Sequence, residues 1–118
     1  MKNGKLQERT QAFALQVIHF VEEGLPPSQT ANVLGRQLLR AATSVGANYR
    51  AASRARSKAD FINKLGMVEE EADECGYWLD LIAKAGMVKP ALMSALSTEA
   101  SEITAMVVAS IKSARRGL

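Results

Sequence analysis

The sequence is poor in the residues from which most catalytic and membrane chemistry is built: it holds one cysteine, one histidine, one tryptophan and three prolines in 118 residues. A lone cysteine, Cys75, excludes an intrachain disulfide and suits a reducing cytoplasm. The lone histidine, His19, has no glutamate three residues before it, so the Glu-x-x-His pairs of carboxylate-bridged dimetal bundles are missing. Neither a P-loop nor a Gly-x-Gly-x-x-Gly turn occurs. The longest apolar run, Ala105 to Ala109, is far short of the roughly 20 residues that span a bilayer. MKNGKLQERT lacks the apolar stretch of a secretory signal. No nucleophile, base or metal-ligand constellation argues for an enzyme, so no catalytic residue, metal, cofactor or membrane association is expected.

What the chain does have is apolar residues at helical spacing, broken at few places. GLPPS (Gly24 to Ser28), ARS (Ala55 to Ser57) and GMVKP (Gly86 to Pro90) separate four helical segments with no strand-like alternation between them. The helices are expected over about 7–23, 28–55, 58–86 and 90–114, within a single domain covering the chain. In the first, Phe13, Val17 and Phe20 recur at spacings of four and three, with Ala14, Ile18 and Val21 in an adjoining stripe. Ser28 and Ser57 are the expected N-caps, the latter followed by Asp60 in a capping-box-like start. The third helix carries the clearest rhythm: Phe61, Leu65, Val68, Ala72, Cys75, Leu79 and Ile82 form a heptad seam, on which Cys75 reads as a buried, inert thiol. Met93, Leu96, Ala100, Ile103, Val107, Ser110 and Ala114 repeat it in the fourth. The pattern is that of an all-α, up-and-down four-helix bundle with a left-handed twist.

Charge is uneven along the chain. Residues 1–64 hold ten lysines and arginines against four carboxylates, whereas residues 65–118 hold five against eight. On the second helix, at about 100° per residue, Arg36, Arg40, Arg50 and Arg54 share an arc of about 80° opposite an apolar face of Leu38, Ala41, Val45 and Tyr49. Gly35, Ala42, Gly46 and Ser53 form a third stripe, small enough for a neighbouring backbone to approach. Arg56, Lys58 and Lys64 extend the basic surface beyond the turn. Such a row either solvates the helix and pairs with the acidic run Glu69 to Glu74, or meets phosphates. A bond from Arg50 or Arg54 to Glu71 or Glu74 would make part of it structural. Only Tyr49, on the core face, offers a ring nearby, so base reading by stacking is not expected. On the third helix Met67, Trp78 and Leu81 widen the apolar surface beside the seam, and these three are the expected homo-oligomer contacts.

QLLRAATSVGANYRAASRARSKADFINKL, followed by EADECGYWLDLIAKAG, resembles the small bacterial four-helix bundle proteins named after reading frames in the intervening sequences of 23S ribosomal RNA genes. The likeness extends from Phe13 to Lys112. Ser44, Gly46, Asn48, Tyr49, Arg50, Ser57, Phe61, Glu71, Glu74, Tyr77 and Trp78 match the family pattern, while Ala51 and Glu70 stand where Glu and Lys are frequent. The resemblance implies a left-handed bundle assembled as a homopentamer and no enzymatic activity. It also implies kinship with the accessory variability determinant of diversity-generating retroelements, a basic pentamer that binds nucleic acid and a reverse transcriptase. Two functions follow as expectations: binding of nucleic acid, structured RNA above all, through Arg36, Arg40, Arg50, Arg54, Arg56 and Lys58, or service as a scaffold or accessory subunit for a protein partner such as a reverse transcriptase.

Overall fold

The computed structural model describes residues 2–117, and these form four helices: α1 (Lys2–Glu23), α2 (Gln29–Ser53), α3 (Lys58–Lys84) and α4 (Pro90–Arg115). Each packs on its neighbours in the order α1, α2, α3, α4 and back to α1, and the diagonal pairs do not meet. Short connections between helices of nearly equal length force this alternation. The result is a rod of 47 × 20 × 20 Å, one helix long.

The breaks work as their residues dictate. Ser28 Oγ accepts from the N–H of Ala31, and Ser57 Oγ from that of Asp60, each at 3.0 Å. These bonds satisfy donors that the first helical turn leaves orphaned. Gly86 takes a φ of +74°, where its N–H donates to Ala83 and that of Met87 to Ile82, closing α3 in a Schellman motif. Pro90, lacking an N–H, then opens α4.

The heptad seam of α3 is buried from Leu65 to Ile82, with Phe61 half-buried at its start. Two helices depart from the expected pattern. The first helix begins at Lys2, well before Gln7, and buries Leu6 and Thr10 in continuation of the Phe13 and Val17 spacing. A threonine obscures that continuation; its hydroxyl donates to the carbonyl of Gln7 at 3.0 Å and so tolerates burial. In α4 Ile111 turns inward in place of Ser110, the apolar neighbour prevailing over strict heptad register. Of the small stripe of α2, Gly46 lies beside the α1 backbone, whereas Ser53 is exposed. A Cβ added to Gly46 would lie 3.7 Å from the carbonyl oxygen of Thr10, leaving room for a methyl group beside the α1 backbone. At Gly35 the approach is tighter, since a Cβ there would lie 2.7 Å from Cδ1 of Leu25.

Candidate nucleic-acid interface

Arg36, Arg40, Arg50 and Arg54 are all exposed on α2, but they do not form one row of free cations. Arg40 reaches α3: its Nη1 donates to Glu71 Oε1 at 3.3 Å and its Nη2 to Glu74. Glu74 in turn accepts from the indole N–H of Trp78 at 3.0 Å. The Trp78 bond, then Arg40, holds the Glu74 carboxyl below the usual carboxylate range. The carboxylates expected to meet the stripe therefore do so, but through Arg40 rather than Arg50 or Arg54. The reason is register: α2 and α3 run antiparallel from a short turn, which brings Arg40 level with Glu71 and Glu74 and leaves Arg54 at the turn itself. The pair is also half-exposed, which removes the large penalty that a buried ion pair would carry.

Arg36, Arg50, Arg54 and Lys58 have no ion-pair partner among the described residues. Arg54 is the C-cap of α2, its backbone N–H closing the last turn while its side chain stands in solvent. Arg56 lies in the turn and Lys58 is the first residue of α3. The one carboxylate at this turn, Asp60, is engaged by Lys64 Nζ at 2.7 Å and, behind that, by the backbone N–H of Arg56; these hold it below its usual range. What remains is a set of exposed guanidinium and ammonium groups running from the outer face of α2 around the turn. With Tyr49 buried and Phe61 half-buried, no exposed ring accompanies them. Cations of this kind suit phosphate groups, and the surface offers no ring on which a base could stack.

Of the residues expected at an oligomer contact, Met67 is exposed, whereas Leu81 and Trp78 are half-buried, with the Trp78 indole committed to Glu74. Tyr77 beside it is 58% exposed, its ring set edge-on to Trp78 at a centroid distance of 5.0 Å. The Cys75 thiol is buried, and burial, reinforced by the Glu71 and Glu74 charges, pushes it up to about 12. His19 is exposed on α1, a helix that does not touch α3, so the two do not approach one another. Among the described residues no three His, Cys, Asp or Glu side chains converge as metal ligands, and no helix is long and apolar enough to cross a membrane.

One polar cluster escapes sequence reasoning. Arg9 donates from Nε and Nη2 to Glu99 at 2.6 and 2.8 Å, from Nη2 to Glu102, and from Nη1 to the Met106 sulfur at 3.2 Å. It fastens α1 to α4 along the least extensive of the four helix contacts. Nothing local marks it, because Glu99 lies 90 residues away along the chain.

The fold has counterparts. The chain has no match among proteins of curated function. Among solved structures it is similar to a protein of unknown function from the S23 ribosomal protein family of Bacteroides thetaiotaomicron, with 32% identity, a TM-score of 0.84, and coverage of 95% of this chain and 99% of that one. The family model of the 23S rRNA-intervening sequence protein matches residues 2–109, which takes in all of α1, α2 and α3 and most of α4. With that extent of agreement, the chain belongs to the 23S rRNA-intervening sequence protein family.

Proposed function

We propose that this protein is a non-catalytic, cytoplasmic bundle that binds structured RNA through the basic surface of the C-terminal half of α2 and the turn that follows. The observation that carries the reading is the exposure of Arg50, Arg54 and Lys58 without a carboxylate to neutralise them. Arg56 adds a fourth cation, and Arg36 stands further along α2. Arg40 belongs chiefly to the α2–α3 strap.

A second reading is favoured by the exposed Tyr77 and Met67 on α3: a protein-facing flank, used first for self-assembly of the left-handed bundle into the homopentamer that the resemblance implies, and then for an accessory role beside an enzyme that acts on nucleic acid. The two are separated by measuring RNA and DNA binding across a salt series together with the mass of the protein in the same buffers. RNA binding that falls steeply with salt supports the first reading, since each neutralised phosphate releases counterions. An intact oligomer that binds no nucleic acid at low salt overturns it in favour of the second.

A further inference from the structure

The C-terminal turn of α4 carries three cations: Lys112, Arg115 and, at the C-cap, Arg116. All three are exposed and, among the described residues, unpaired. They come from the half of the sequence in which carboxylates predominate, so charge read along the chain hides them. The bundle order carries this turn to the end of the rod where α2 gives way to α3. A Cβ added at Gly117 would lie 3.7 Å from Nζ of Lys58, and a shallow recess lined by Ala55, Lys58, Phe61, Ala114 and Gly117 separates the two segments. Lys58 is the cation that lines it; along the chain Arg54 and Arg56 flank its Ala55, and Arg115 and Arg116 stand between its Ala114 and Gly117.

Ordinary helix electrostatics accounts for only some of these charges. Arg54, Lys112 and Arg115 sit at helix C-termini, where a cation is favourable. Arg56 and Lys58 sit at the N-terminus of α3, where the macrodipole opposes them; Arg56 draws on the Asp60 charge, and Lys58 has no ion pair among the described residues. A polyanion lying across both segments would offset that repulsion. The end face is 20 Å across and, among the described residues, bears no exposed ring. Single strands are held largely by stacking on aromatic side chains, whereas a duplex offers ordered phosphates to a purely cationic surface.

We infer that the ligand lies across this end of the bundle, gripped jointly by the α2–α3 turn and by Lys112, Arg115 and Arg116, and that it is the phosphate backbone of a double-helical RNA stem. The inference rests on the RNA-binding reading above and adds to it the second half of the site and the class of RNA. The test uses the full chain, a fully paired RNA duplex and a single strand of equal length, titrated across a sodium chloride series. The wild type binds the duplex more tightly. The triple variant K112Q/R115Q/R116Q loses duplex affinity by at least about tenfold at low salt, and its log–log salt slope is shallower by about 2 to 3, close to 0.9 for each phosphate no longer neutralised. R115K/R116K retains wild-type binding. Should the triple variant unfold, R116Q alone serves, with a slope shallower by about 1. A wild type that binds duplex RNA with a triple variant indistinguishable from it overturns this inference and leaves the α2 reading intact. Preference for the single strand overturns the assignment of class. A wild type that binds neither RNA removes the underlying reading as well.

Discussion

Arg40 and Arg54 stand on one stripe of α2, about four turns apart, in opposite situations. The first is strapped to Glu71 and Glu74 on α3, with Trp78 completing the cluster, while the second, the C-cap of α2, is exposed and has no ion-pair partner among the described residues. The difference teaches that like charges aligned on a helix are not one functional unit. What each cation does is decided by the residue that antiparallel packing sets opposite it. Arg9, pinned between Glu99 and Glu102, falls with Arg40 on the structural side of this division. Arg50, Arg54 and Lys58 fall on the other, and Arg56, which meets Asp60 through its backbone N–H and its charge, lies between the two.

The largest stability effect belongs to the strapped group. Arg9→Ala leaves Glu99, which is only 24% exposed, without its partner on the weakest helix edge. The expected destabilisation is about 1 to 2 kcal/mol, the range of a partly solvated charged hydrogen bond, read by chemical denaturation. The sign of its pH dependence follows from the carboxyl. Arg9 holds Glu99 below its ordinary value of 4.5, so the contribution is fully present above that pH and is lost as pH falls through the lower folded value. The variant should therefore show a shallower loss of stability in acid than the wild type. An equally steep acid limb would mean that the pincer contributes nothing.

A smaller effect, of opposite sign, is expected in the unpaired group. Lys58→Glu puts a carboxylate where the α3 dipole favours one and should raise stability by about 0.3 to 1 kcal/mol while weakening RNA binding. Thermal melts and a binding titration on the same sample check both halves. Loss of stability would show that Lys58 has a structural partner after all and would blur the division.

Much of this is legible in the sequence. The seam from Leu65 to Ile82, both serine caps and the Gly86 stop follow from local chemistry, and the structure has them as read. Glu71 and Glu74 are recognisable as partners for the stripe. Which arginine they take is not, because that depends on the register between two helices, set by the length and geometry of one turn. The Arg9 cluster and the proximity of the α4 end to Lys58 lie further out of reach, since both depend on how the ends of the chain come together. Thr10 gives no signal because a buried hydroxyl looks polar in sequence and is satisfied only by its own helix.

The most direct test of this division compares duplex RNA affinity and melting temperature for Arg40→Gln and for the double variant R50Q/R54Q. We expect Arg40→Gln to melt lower and to bind within about twofold of the wild type, and the double variant to show a salt slope shallower by about 2, its melting lowered only by the loss of two cations from the α2 C-terminus. Equal losses of affinity in the two variants, or a loss confined to Arg40→Gln, would contradict the account.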